Sequence, residues 1–426
     1  MLGRTYRQRK KRKSNVTNFP ETCKEMNANF NLISKWMIEK NFKASKTLTP
    51  KIFPGYGRGL MTKQVIQSGD VILAIPENLL ITCKLVLQSE LGNLIKQHCP
   101  TATGHEILSL FLMREKAKGK ASEWHPYIQT LPESYNIPAF YGRQCLSIIP
   151  AFLRLQSSKQ VKMVENSFDG IEKLLKVLED SFPYLHGNMD FQTFQWAWCT
   201  VNTRCVFIDC YRKDCMGTLC KFHLALAPFL DLLNHSVEVQ VQAGFNRKNK
   251  QYEIISLCNY KKYSQVFINY GSHDNTSLLI EYGFVVSNNC NDSISFSIDD
   301  VILAYQQSGL SLKSINRKLQ FIEENNLIRN SVCSCDGLSW NLNTILKILT
   351  SDYNPKLWKT QICDHLKPTK DEDQFLRLQK LLLSLKLKEL SDTTVKDECL
   401  CDYSSLKQQI YQLSSILCSI LINAMK

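Results

Sequence analysis

The chain has 426 residues, 44% of them hydrophobic, and a formal net charge of +13. That length and composition suit a globular protein of two or three structural units and exclude a chain that is disordered throughout. No run of about 18 apolar residues occurs, and the amino terminus lacks the apolar stretch of a signal peptide, so neither membrane insertion nor secretion is expected.

The charge is uneven. In "RTYRQRKKRK" and the residues just after it, Arg4, Arg7, Arg9, Lys10, Lys11, Arg12 and Lys13 all precede the first acidic residue. Such an arm suits a nuclear import signal or an electrostatic contact with acidic partners, and equally a solvated tail over residues 1–25. The rest of the chain is only mildly basic. Seventeen cysteines in a chain of this size point to reduced thiols in cytosol or nucleus.

From Asn27 to Asn41, Phe30, Ile33, Trp36 and Met37 recur at helical spacing. The pattern then changes: "KIFPGYGRGLMTKQVIQSGDVILAIPENLLIT" consists of short β-rich runs broken by Pro54, three glycines and a Ser68-Gly69-Asp70 turn. Residues 26–83 therefore form a first β-rich segment. Residues 84–222 are mostly helical, as in "GHEILSLFLMREKAKG" and "MDFQTFQWAWCTVNTRC", and stand between β-rich parts like an insertion. In residues 223–298 the spacing predicts a hairpin around "RKNK" and a strand at "QVFINYG". From 299 to 426 the pattern is helical again, and the apolar tract from Leu413 to Met425 is short enough to be a packed terminal helix.

The architecture expected is α+β, a β-rich unit split by a helical insertion and followed by a helical carboxy-terminal domain. No GxGxxG or Walker sequence supports a nucleotide-phosphate site. Cys205, Cys210, Cys215 and Cys220 fall every fifth residue, without the close C-x(2–4)-C pair of a structural zinc site. Cys333/Cys335 and Cys399/Cys401 are isolated pairs, so no metal site is expected. His125, His186 and His223 stand without neighbouring ligands.

The segment "LALAPFLDLLNHSVEVQVQAGFN" is different, because Asp231, Asn234 and His235 interrupt an apolar stretch and buried polar groups need partners. They could close turns on their own backbone or serve a site. Tyr270 and Tyr282 are likewise open between core aromatics with satisfied hydroxyls and site residues.

Taken in order, "GYGRGLM", "LDLLNHS" and "FINYGSHDNTSLLIEYGF", with a helical insertion between the first and second, resemble the SET-domain protein methyltransferases, specifically the Rubisco large-subunit methyltransferase-like class with a split SET domain. The resemblance implies S-adenosylmethionine as cofactor, contacted by Arg58, Gly59, Leu60, Asn234, His235, Tyr270 and Asn275. It implies Tyr270 as catalytic tyrosine and Tyr282 as a second tyrosine shaping the channel. Thr203, Arg204 and Asp231 match positions near the substrate channel, where an Arg-carboxylate pair would be a fixed polar wall or a buried structural salt bridge. The function implied is protein-lysine N-methylation, with histone lysines as the favoured substrate and the helical carboxy-terminal domain as the substrate-binding part.

Two departures from the pattern stand out. The Cys-rich post-SET zinc site of other SET enzymes is missing, and "NTRCV" differs from the plant segment. The alternatives are a non-catalytic SET-fold binding protein and a methyltransferase for a non-histone lysine or histidine. Direct nucleic-acid binding has no motif to support it beyond the basic tail.

Overall fold

The computed structural model describes residues 21–43, 48–208, 223–311, 313, 315–351, 354, 358, 372–391 and 403–426. The basic arm, Cys210, Cys215, Cys220, Cys399 and Cys401 lie outside these residues.

An amphipathic helix α1 (Glu21–Glu39) opens the described chain and buries Phe30, Ile33, Trp36 and Met37, the residues whose spacing predicts it. Four strands follow: β1 (Leu48–Phe53), β2 (Gly57–Thr62), β3 (Val71–Pro76) and the two-residue β4 (Ile81–Thr82). Thr82 then caps α2 (Cys83–Leu87) with its side chain, and α3 (Glu90–His98) follows. A reciprocal capping box between Thr103 and Glu106 starts α4 (Gly104–Lys118). The insertion continues through α5 (His125–Ile128), α6 (Pro138–Tyr141), the long α7 (Ala151–Ser181) and α8 (Phe191–Arg204), which Asp190 caps.

The chain then returns to β structure: β5 (Cys205–Phe207), β6 (Leu224–Leu226), β7 (Asn234–His235), β8 (Val241–Asn246), β9 (Gln251–Ser256) and β10 (Gln265–Ile268). The hairpin around Arg247–Lys250 is β8–β9, as its sequence predicts. Three small sheets result, in the orders β1-β2-β10-β7, β3-β9-β8 and β4-β6-β5. Each joins strands from before the insertion to strands from after it, so the split unit closes across the intervening helices. Within the first sheet β7 runs parallel to β10, pairing Asn234 with Phe267 and His235 with Ile268.

Helix α9 (Asn275–Tyr282) is bracketed by the Asp274 cap and by Gly283, whose φ of 83° suits glycine. Glycine is required there for a second reason: a Cβ would lie 2.5 Å from the Asn136 carbonyl oxygen of the insertion. The chain ends through β11 (Ser293–Ser295), α10 (Ile298–Gln307), α11 (Ile315–Glu324), β12 (Val332–Ser334), β13 (Gly337–Leu338), α12 (Trp340–Thr350), α13 (Glu372–Ser391) and α14 (Ser404–Ala424). Leu413, Leu417, Ile420 and Leu421 of α14 are buried, as expected of a packed terminal helix.

The α+β class with a helical carboxy-terminal region is as the sequence indicates. The addition is the sheet β11-β12-β13, which joins β11 just before that region to two strands inside it and whose strands are too short for a period-2 pattern to register. Two apolar cores divide the molecule. One joins α1, the split β unit and most of the insertion; the other joins the carboxy-terminal helices to Leu153 of α7 and to Leu279 and Ile280 of α9. Helix α9 thus carries Tyr282 on the seam between them. Among the described residues, no helix is long and apolar enough to cross a membrane.

Candidate active site

The parallel β7–β10 pairing fixes the centre of the site. It brings His235 beside the residues that follow β10, where the Tyr270 backbone N–H donates to His235 Nδ1 at 3.1 Å. The Tyr270 hydroxyl donates to the Leu233 carbonyl at 2.7 Å, and its ring lies 5.1 Å from that of His235 and 5.2 Å from that of Tyr282. Burial pushes the Tyr270 hydroxyl well above its ordinary pKa, so it remains a proton donor at neutral pH.

Because Nδ1 of His235 is an acceptor, the proton of its neutral ring sits on Nε2. That atom is buried and has no partner among the described residues. Burial and then the nearby His273 lower the His235 pKa from 6.5 to about 4, so the ring is neutral at pH 7. The sign follows directly: a folded pKa below the unfolded one gives stability that is complete above about pH 6.5 and is lost as pH falls toward 4. Melting temperature should therefore decline across that window, and His235→Gln should reduce the decline. His105, lowered by burial to about 4 as well, contributes a similar term, so a decline left unchanged by His235→Gln would assign the effect to His105.

Asn234 reaches back 176 residues to donate from Nδ2 to the Arg58 carbonyl at 2.9 Å. This close approach explains Gly59, where a Cβ would lie 2.7 Å from Asn234 Nδ2 and 2.8 Å from Gln265 Nε2. The Arg58 guanidinium turns away to the Thr130 carbonyl of the insertion, at 2.6 Å.

Two cavities meet at Tyr270. One, of about 600 Å³, is lined by residues that include Tyr56, Asn234, His235, Tyr270 and Phe284. The other, of about 200 Å³, is lined by residues that include Thr203, Arg204, Asp231, Tyr270 and Tyr282. Tyr270 is thus a shared wall, with a wide cleft on one side and a narrow channel on the other. A further hollow of about 520 Å³ between β3, α2 and the β8–β9 turn touches none of these residues, and we assign it no role.

In the channel wall, Arg204 at the end of α8 donates from Nη1 to Asp231 Oδ2 at 2.9 Å and to the Asp231 carbonyl at 3.0 Å. Tyr127, wholly buried on α5, donates its hydroxyl to the same Oδ2 at 3.1 Å. Burial opposes the Arg204 charge, but Asp231, Tyr135 and Tyr127 together more than offset it and the net shift is upward. Asp231 Oδ1 and Arg204 Nε are left buried without partners. Burial and the neighbouring Arg204 lower the Arg58 pKa, which places two guanidiniums close to one carboxylate. Asp231 itself follows Phe229, a buried residue held at φ 71°, a strained conformation typical of functional sites.

Of the residues expected from the sequence, Thr203, Arg204, Asp231, Asn234, His235, Tyr270 and Tyr282 line the two cavities, and Arg58 and Gly59 adjoin them through Asn234. The resemblance places the backbone of Arg58, Gly59 and Leu60 beside the cofactor; the Leu60 side chain is fully buried in the main core, on a strand paired on both sides, and Gly55 and Tyr56 just before it line the cleft. Asn275 is fully buried with its amide committed to Asp292 and Val286, so it supports the cleft from one layer behind. Tyr56, Tyr127 and Phe284 are further residues of the site. Tyr56 and Phe284 fall within the segments "GYGRGLM" and "LLIEYGF", whereas Tyr127 had no local sequence signal. Among the described residues no cluster of three or more potential metal ligands occurs.

The family model for the SET domain matches residues 57–271. The chain is 36% identical to mouse SET domain-containing protein 4, over 82% of this chain and 78% of that protein. It is 25% identical to the ribosomal lysine N-methyltransferase set11 of Schizosaccharomyces pombe, over 76% and 75%. Among solved structures, the SET domain of LSMT bound to lysine and AdoHcy superposes with a TM-score of 0.62 at 19% identity, covering 92% of this chain and 90% of that one. The matched region begins at the first residue of β2 and ends just after Tyr270, so it encloses both halves of the split β unit and the insertion between them: the chain belongs to the SET-domain family.

Proposed function

We propose that the protein is an S-adenosylmethionine-dependent protein-lysine N-methyltransferase. The observation that carries this reading is the position of Tyr270 between a wide cleft and a narrow channel. A transferase needs its two substrates to approach one point from opposite sides, with reacting atoms about 3–3.5 Å apart. The cofactor fits the cleft side: the cavity is large enough for a nucleoside-sized ligand, the rings of Tyr56, Tyr270 and Phe284 line it, and His235 Nε2–H is an unused buried donor on its wall. When bound, S-adenosylmethionine supplies a methyl group on a sulfonium, made electrophilic by the positive charge.

The chain's own residues do the rest. A lysine amine normally carries a proton, with a reference pKa near 10.4, and must lose it to become a nucleophile. Desolvation in the narrow channel favours the neutral amine, and the wall beside it, where Arg204 is paired with Asp231, offers no free carboxylate to hold the ammonium form. The hydroxyls of Tyr270 and Tyr282 and the Leu233 carbonyl at the channel's inner end suit orientation of that amine. Tyr282 makes no hydrogen bond among the described residues, so its hydroxyl is available.

Histone lysines are the first acceptors to test, and non-histone lysines or a histidine are the alternatives. Labelled methyl transfer from S-adenosylmethionine into nuclear and cytosolic extracts, followed by peptide mapping, identifies both acceptor and residue. Failure of the purified protein to bind S-adenosylmethionine would defeat the reading and favour a non-catalytic SET-fold binder. Location in nucleus and cytosol is proposed on the basic arm. Deleting residues 1–13 should shift the protein out of the nucleus while leaving turnover on a short peptide nearly intact, because the arm's charges act over long, screened distances. A large loss of peptide turnover would contradict that division of labour.

A further inference from the structure

The register of the first sheet sorts its side chains onto two faces, because successive residues of a strand point to opposite sides. Leu60 and Thr62 of β2 are wholly buried, and Val266 of β10, paired with Leu60, shares their inner face. The outer face therefore carries Lys51 and Phe53 of β1, Met61 of β2, and Gln265 and Phe267 of β10, since Lys51 pairs with Gly59 and Met61 with Gln265. Contacts agree with that register: Lys51 Nζ lies 3.9 Å from Met61 Sδ and 5.9 Å from the centre of the Phe53 ring. Beyond β2 the ladder continues, with the Thr62 N–H donating to the Ser264 carbonyl at 3.0 Å and the Tyr263 N–H to the Thr62 carbonyl at 2.8 Å, so Lys63 and Tyr263 meet at one margin of the face.

The charge here has one sign. Residues 48–66 and 257–270 hold Lys51, Arg58, Lys63, Lys261 and Lys262 and not one Asp or Glu; Arg58 turns to the insertion, and the four lysines are exposed. The rings are turned to solvent as well. Phe53 and Phe267 are half-buried, and Tyr263 is 62% exposed. Tyr263 is held at φ 69°, left-handed backbone that a bulky residue adopts only at a cost. Packing does not explain that conformation, because the ring lies mostly in water with the Lys262 ammonium 4.8 Å from its centre.

Rings at alternate positions with lysines around them suit a chain of nucleotides, whose bases stack on the rings while the ammoniums take the phosphates. Same-face residues of a strand stand about 6.8 Å apart, twice the roughly 3.4 Å between stacked bases, so the spacing fits an extended single strand with one base to a ring. In a duplex the base faces are covered by their neighbours, and an acidic peptide would leave the rings unused. We propose that this outer face binds single-stranded nucleic acid, with the lysines on phosphates and Phe53, Phe267 and Tyr263 on bases. None of these residues lines either cavity at Tyr270, so the surface is separate from the transfer site. It has no sequence motif because its two segments meet only through the β2–β10 pairing.

The test uses the full chain and a short fluorescein-labelled oligouridine, with fluorescence anisotropy read over a range of salt concentrations. The wild type should bind the single strand more tightly than a duplex of the same length. Lys63→Gln/Lys262→Gln should weaken binding and reduce the slope of log affinity against log salt by about 1.4, at about 0.7 for each phosphate contact. Tyr263→Gly, which deletes the ring and suits the positive φ, should weaken binding about tenfold with the slope unchanged, as expected for a lost stack. Melting temperatures establish that the variants fold. The basic arm is present throughout, so folded variants that bind within twofold of the wild type would assign binding to the arm and overturn the proposal. A wild type that does not bind, or that binds the duplex equally well, would overturn it too. Polyglutamate bound as tightly as the oligonucleotide would make the face a site for acidic protein instead.

Discussion

Tyr270→Phe is expected to lower methyl-transfer turnover by about 10²-fold or more while cofactor affinity changes little. The substitution keeps a ring that packs against His235, Tyr282 and Phe284, and removes only the hydroxyl. That hydroxyl is anchored on the Leu233 carbonyl at 2.7 Å, so it is fixed in place before any substrate arrives. A preorganised group of this kind acts on the rate because no reorganisation is needed at the moment of reaction. The backbone N–H of Tyr270, which orients His235, survives the substitution, and this is why affinity on the cleft side should hold. A folded Phe variant with wild-type turnover on the mapped acceptor would make Tyr270 a core aromatic and nothing more.

The second large effect is on stability. Asp231→Ala should destabilise the fold by about 3–5 kcal/mol, because it leaves the Arg204 guanidinium buried without its counter-charge. It also strips the Tyr127 hydroxyl of its acceptor inside the insertion. The paired replacement Asp231→Leu/Arg204→Met removes both charges and should recover much of the loss while abolishing turnover. Chemical denaturation of the single and double variants reads the difference. If the single variant is as stable as the wild type, the pair is solvated and the channel wall is not the closed structure described.

The parts of this site that were legible in the sequence are those whose neighbours are local. Asn234 and His235 stand out because polar residues interrupt an apolar run, and Tyr270 and Tyr282 because the segments that hold them follow the family's order of motifs. Tyr127, Thr130 and Asn136 gave no such signal. Tyr127 lies on a short helix and Thr130 and Asn136 in the irregular chain after it, and each acquires meaning only through a partner more than 70 residues away. The same origin limits what a motif shows of Leu60 and Asn275: the Leu60 side chain lies in the core, and the Asn275 amide is engaged by Asp292 and Val286. Sequence order shows which segments converge, whereas only packing shows which atom of each segment faces the cavity.

The hydrogen bond from Asn234 to the Arg58 carbonyl also has a consequence in time. At synthesis rates of about 5–20 residues per second, the 176 residues between them take roughly 10–35 s to emerge. During that interval β2 has β1 as its only sheet neighbour, since β10 and Asn234 do not yet exist. Its far edge is open to any extended chain, and the helical insertion has to fold beside it without closing over it. The Val285 N–H waits in its turn for an acceptor 124 residues further on. A nascent chain of this protein therefore passes through a stage in which its local helices are complete and its central sheet is not, and that stage is where chaperone dependence should concentrate.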